Sequence, residues 1–189
     1  MKHFIEKYNG LLRLVFIICL FLLGFAGYNL YKTIWPTPYV SKSDNFSAVF
    51  PTSPSVNNLA SQKQDDGTVV SGHVYDDRND SASTDYAVSV TKYSNINFDK
   101  YDYNYRISTL QNQLETLAKN DSANLSNGNT ISFNNGSAVE ATLTPSSKSE
   151  VKSYVLATTK HNKLYILIGA GITKDQFMTF TSKFKFLQP

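Results

Sequence analysis

Leu164-Tyr-Ile-Leu-Ile-Gly-Ala170 carries no charge and is apolar at odd and even positions alike. A strand with one wet face alternates apolar and polar side chains, whereas a strand apolar on both sides belongs inside a sheet covered on both faces. The segment therefore predicts an inner strand with one layer above it and another below. Upstream, Val151–Thr159 is a second extended run, separated from the first by His161-Asn162, a pair suited to a tight turn. Thr130–Phe133 and Ala138–Thr144 flank Asn135-Gly136, the strongest hairpin signal in the chain, because both residue types accept positive φ. Thr84–Tyr93 alternates Tyr86, Val88 and Val90 with polar neighbours. Asn58–Gln64 and Thr68–Asp76 are joined at Asp66-Gly67, and Phe46–Phe50 is a short strand stopped by Pro51 and Pro54.

Two segments change to a helical period. In Tyr101–Lys119 the residues Tyr103, Ile107, Leu110, Leu114 and Leu117 are spaced 4, 3, 4 and 3, which makes one apolar stripe. Near the C-terminus Thr173 can cap a helix with Gln176 as its capping-box partner, and Phe177, Phe180 and Phe184 then face one way. A helix with one greasy side must lay it on another element, and the sheet is what this chain offers. The expected fold class is α+β, an antiparallel sheet with helices packed on it over residues 44–189.

This pattern resembles the PsbP-like fold. The resemblance is carried by Phe46-x-x-Val49-Phe50-Pro51-x-x-Pro54, a hairpin-rich stretch, one amphipathic helix, and an ending that runs from LYILIGAG through a helix to Phe184. It covers about residues 44–187 and implies an α/β/α sandwich, often membrane-tethered, of a kind that includes binding and assembly factors without catalysis. The Trp that commonly follows the first proline in photosynthetic members is absent. The fold is carried over, and no functional residue.

Outside that domain, Leu14–Ala26 (LVFIICLFLLGFA) has no charged side chain, and Leu11–Tyr31 is broken only by Arg13 and Asn29 near its ends. About 20 such residues cross a bilayer core as a helix. Residues 11–31 are therefore read as a signal-anchor span. Tyr28, Tyr31 and Trp35 fall at the level of an interfacial aromatic belt. Lys2, Lys7 and Arg13 before the span keep residues 1–10 cytoplasmic and send the C-terminal domain out. A cleaved signal peptide ending at Gly24-Phe25-Ala26 is the rival; the apolar and aromatic residues continuing past Ala26 favour the uncleaved anchor. Residues 32–43, with Pro36 and Pro38, read as a stiff spacer.

Charge follows this division. Residues 1–40 hold four Lys/Arg against Glu6, while residues 41–189 hold 14 Lys/Arg against 14 Asp/Glu. A neutral domain lacks the basic excess that displaces phosphate counterions, which excludes a nucleic-acid binder. The one cysteine, Cys19, lies inside the span and excludes a disulfide scaffold. An exported domain without disulfides leans towards a bacterial envelope.

No constellation in the sequence nominates an active site. His73 in a strand and His161 in a turn have no second His or Cys at ligand spacing. No G-x-S-x-G elbow selects a nucleophile. The acidic segment Asp76–Asp85 could offer oxygens to Ca²⁺, but Ala82 and Val88 stand where such a loop needs Gly and an acid, so it is read as a solvated hairpin loop. Tyr101, Tyr103 and Tyr105 suggest either a binding patch or cover for the sheet, with Tyr103 in the buried stripe. Gly24 and Gly27 permit close helix approach without the G-x-x-x-G spacing. The expectation is a membrane-anchored, extracytoplasmic binding or assembly domain with no catalytic, cofactor or metal residues. Its partners are the bilayer through residues 11–31 and an envelope protein. The alternative is a cell-envelope hydrolase whose Ser or Asp meets His73 or His161 in space.

Overall fold

The computed structural model describes residues 37–146 and 151–188. The expected cytoplasmic N-terminus and the span at 11–31 lie outside them. Among the described residues, no helix is long and apolar enough to cross a membrane. In chain order the elements are β1 (Tyr39–Ser41), β2 (Phe46–Ala48), β3 (Ser55–Lys63), β4 (Val69–Asn79), β5 (Thr84–Tyr93), α1 (Tyr103–Asn120), β6 (Ala123–Phe133), β7 (Gly136–Pro145), β8 (Ser153–Lys160), β9 (Lys163–Ala170), α2 (Lys174–Ser182) and β10 (Lys185–Phe186).

Seven strands form one sheet in the order β3-β4-β5-β9-β8-β7-β6, and every neighbouring pair is antiparallel. The doubly apolar segment is β9, the middle strand. Its Tyr165 and Leu167 are buried on one face with Val88, Val90 and Leu156, under Phe177 and Phe180 of α2 and Phe46 of β2. Leu164 is buried on the other face with Val139, Val155 and Ala157, under Leu110 and Leu114 of α1. A second sheet, β1-β2-β10, helps α2 cover the first face.

The hairpin turns follow the residues that tolerate positive φ. His161 takes φ 55 between β8 and β9. Between β6 and β7 the turn sits one residue earlier than expected, on Asn134 and Asn135 at φ 47 and 62, leaving Gly136 as the first strand residue. Both asparagines reach the left-handed region at little cost, so Gly136 is not required there. Gly171 ends β9 at φ 68, and a Cβ there would lie 2.0 Å from the Ser83 carbonyl oxygen, so only glycine fits.

Four other expectations are corrected. The folded unit begins at Pro38, because β1 lies in the stretch read as spacer; the Tyr39 ring packs 5.5 Å from Tyr75 and 6.1 Å from Phe50, and an aromatic anchor outweighs two flanking prolines. Tyr103 is 51 % exposed and outside the stripe, since α1 starts there and its first turn overhangs the sheet. β6 starts at Ala123 and not Thr130; as an edge strand with an irregularity between Ser126 and Asn129 it needs little apolar alternation. Phe184 packs in the core from beyond the end of α2, not from its face.

Candidate functional site

Among the described residues, a buried group of titratable side chains lies beneath the β1–β2 turn. Two strands supply it by the same spacing. His73 and Tyr75 are two apart on β4, Lys163 and Tyr165 two apart on β9, and alternate strand residues share a face. The register His73–Val90–Tyr165 sets one member of each pair in line across β5. The turn folds onto them because Asn45 takes φ 56 and because the Asp44 backbone N–H donates to Ser41 Oγ at 3.2 Å.

Asp44 is then buried with four partners. Its Oδ2 accepts from Tyr75 Oη at 2.7 Å and lies 2.6 Å from His73 Nδ1. Lys163 Nζ stands 3.7 Å from Oδ1 and donates to the Ser43 carbonyl at 2.7 Å. Tyr165 donates to the Asp44 carbonyl at 2.8 Å. Burial pushes the Tyr75 hydroxyl up to about 12, with the Asp44 charge adding to it. Tyr165 is raised by burial and by Asp44. Burial also pulls Lys163 down, against the opposing pull of Asp44. His73, Tyr75 and Lys163 face one carboxylate, and Tyr165 holds the carbonyl of the same residue.

His73 therefore has the orienting acid of a catalytic triad. A triad also needs a hydroxyl or thiol on the imidazole. Ser41 Oγ is engaged with Tyr75 Oη at 2.7 Å and Ser43 Oγ at 3.2 Å. Among the described residues no serine, threonine or cysteine hydrogen-bonds either imidazole. His161 likewise pairs with an acid, Asp99, at 2.6 Å, and this contact fastens the short 3-10 helix Phe98–Lys100 to the β8–β9 turn.

The acidic segment is not one loop. Asp76–Asn79 belong to β4, and only the residues before Thr84 turn. Asp77 is buried and accepts from the Thr52 backbone N–H at 2.6 Å and from its hydroxyl. Asp80 pairs with Arg78 at 2.7 Å. One Asp85 oxygen is buried without a partner, and burial together with the neighbouring Asp76 carboxyl raises Asp85 to about 6. Among the described residues, no three His, Cys, Asp or Glu side chains converge as metal ligands. Tyr101 and Tyr105 stack on each other at 4.3 Å and are both exposed. An apolar groove of about 200 Å³ runs between α2 and the β6–β8 strands, lined by Ile131, Phe133, Leu156, Phe177 and Met178. That volume is below the roughly 300–1,000 Å³ of pockets that enclose small-molecule ligands.

Sequence reasoning named His73 and missed Asp44, Tyr75, Lys163 and Tyr165. The available signal was the polar-x-Tyr spacing repeated on two strands, His73-x-Tyr75 and Lys163-x-Tyr165.

An antiparallel sheet between α1 on one side and α2 with the small sheet on the other defines an α/β/α sandwich, and the fold is PsbP-like. Cyanobacterial PsbP (CyanoP) from Synechocystis sp. PCC 6803 is similar over 79% of this chain and 91% of that one, with 16% identity and a TM-score of 0.53. LpqN of Mycobacterium tuberculosis, described as involved in cell envelope biogenesis, matches over 80% of this chain and 90% of its own at 15% identity and a TM-score of 0.37. No protein-family model matches the chain and no curated protein sequence matches it.

Proposed function

We propose that this chain is a membrane-anchored extracytoplasmic domain of the cell envelope that binds or helps assemble a protein partner and performs no catalysis. The observation that carries this reading is the use to which Asp44 is put: its oxygens hold His73, Tyr75 and Lys163 against the first turn of the domain, and the group serves as a clasp. The uncharged run Leu14–Ala26 supports the anchor. The PsbP-like fold supports a tethered binding module, in line with what the sequence resemblance implies. The rival hydrolase reading rests on the Asp44–His73 pair and requires a nucleophile on that imidazole.

Crosslinking in native membranes followed by identification of the captured protein tests the binding role. Carbonate extraction and C-terminal reporter fusions test the anchor. Retention in the membrane with an external C-terminus is expected; a soluble full-length product or an internal C-terminus overturns the reading.

A further inference from the structure

The small sheet β1-β2-β10 has an outer face of its own. In β1 and β2 the residues Ser41, Phe46 and Ala48 are buried inward. The register pairs Val40 with Ser47 and Ser47 with Lys185, so these three form one row on the opposite side. Val40 is 50 % exposed, an apolar side chain presented to solvent. Lys42, which follows β1, and Lys183, which ends α2, are exposed beside this row in the chain.

The segments that build this face, 38–50 and 183–188, contain a single acid, Asp44, and it is buried against Lys163 and His73. These two segments therefore bring three exposed lysines and no exposed carboxylate of their own. Over residues 41–189 the charges balance at 14 against 14, so with the charges of these two segments set aside the remainder holds 11 cations and 13 acids. One face is basic and the rest of the domain is net acidic, an arrangement that orients the domain in front of a negative surface.

The chain's reach says which surface. The apolar run in the sequence ends at Tyr31 and the folded unit begins at Pro38, leaving six residues between them. Six residues span at most about 20 Å, less than the roughly 36 Å length of an eleven-residue strand such as β4. If residues 11–31 cross the bilayer, the domain is held within its own width of the headgroups, and the small sheet is the first part of it to follow.

We propose that the outer face of the β1-β2-β10 sheet rests on an anionic bilayer surface, with Lys42, Lys183 and Lys185 against the headgroups and Val40 at their level. The proposal rests on the anchored reading above. Each lysine near an anionic leaflet contributes about fivefold, so three together favour the docked orientation by about a hundredfold at low salt. Salt screens the attraction within about 10 Å at 0.1 M.

The test uses the full chain with Cys19→Ser and Val40→Cys, spin-labelled at residue 40 and reconstituted in phosphatidylcholine vesicles with or without phosphatidylglycerol. Power saturation with oxygen and with a water-soluble nickel complex reads whether the label sits among headgroups. It is expected there in the anionic vesicles, and in water in phosphatidylcholine alone, at high salt, and in the K42Q/K183Q/K185Q variant. A K63Q/K92Q/K119Q variant leaves it docked, and melting curves verify that both variants are folded. A label that stays aqueous in anionic vesicles, or one shielded regardless of lipid charge and lysines, overturns the proposal. So does shielding seen only in native membranes, which assigns the face to a protein. Carbonate extraction of the same vesicles reports the anchor separately: release sinks the anchored reading, while retention with an aqueous label sinks the docking alone.

Discussion

The Asp44 carboxylate lies 2.6 Å from Nδ1 of His73, joining the first turn of the domain to the second strand of its main sheet. The same carboxylate is the counter-ion of Lys163, which is itself buried. Removing one member of a buried pair strands the other charge, at about 3–5 kcal/mol. Asp44→Asn is expected to lower the urea unfolding free energy by about 3 kcal/mol. Asp44→Asn with Lys163→Met is expected to recover part of that loss, and a purely additive double variant would show that the two groups are uncoupled.

Asp85 predicts a pH dependence of opposite sign to the usual carboxylate. Its folded-state proton affinity is raised, to about 6 against 3.8, by burial and by Asp76. The folded state therefore holds this proton more tightly than the unfolded chain does. Its contribution is present below the unfolded value and is lost as pH rises through about 6. Asp85→Asn is expected to raise the urea midpoint at neutral pH and to remove that decline. An unchanged slope across this window would assign it to another group.

Gly171 is irreplaceable on geometric grounds. Alanine there meets the Ser83 carbonyl oxygen at 2.0 Å while also holding φ at 68. Backbone against backbone cannot give way as a side chain can, so Gly171→Ala is expected to cost more than about 2 kcal/mol in denaturant unfolding. Gly67→Ala, where φ is 83 but nothing lies within 4 Å, is the milder companion.

The capping box of α2 is a separable contribution. Thr173 Oγ1 accepts from the Gln176 N–H at 3.2 Å, and Gln176 Oε1 accepts from the Thr173 N–H at 2.8 Å. Thr173→Ala is expected to cost about 1 kcal/mol. Phe177→Ala, which empties a fully buried site, is expected to cost about 3–5 kcal/mol. Equal losses would mean that the cap and the packed ring act as one unit.

The tyrosines at the start of α1 distinguish stability from binding. Tyr103 is half exposed, so Tyr103→Ser is expected to shift unfolding by less than about 0.5 kcal/mol, against about 2–5 for Leu110→Ala. A large effect at Tyr103 in thermal melts would restore it to the core.

Much of the fold is legible in single segments. β9 has both faces apolar, β5 alternates, and Thr173 and Gln176 stand at capping spacing, because each signal is local. β1 was not legible: its three residues directly follow Pro36 and Pro38, and only contact with Phe50 and Tyr75, farther along the chain, makes them a strand. β6 was only partly legible, since an exposed edge imposes little pattern. For the clasp, His73 stood out by residue type. Asp44 and Lys163 carry no local mark of burial in the sequence, and 121 residues separate Asp44 from Tyr165. No local rule carries that distance.

The order in which the strands are synthesised differs from the order in which they lie. β3-β4-β5 and β6-β7-β8 are two sets of neighbours with no seam between them until β9 enters, the last of the seven to leave the ribosome. The nascent polypeptide thus reaches residue 170 as two incomplete halves. Neither half holds a complete sheet before that closing stitch is made.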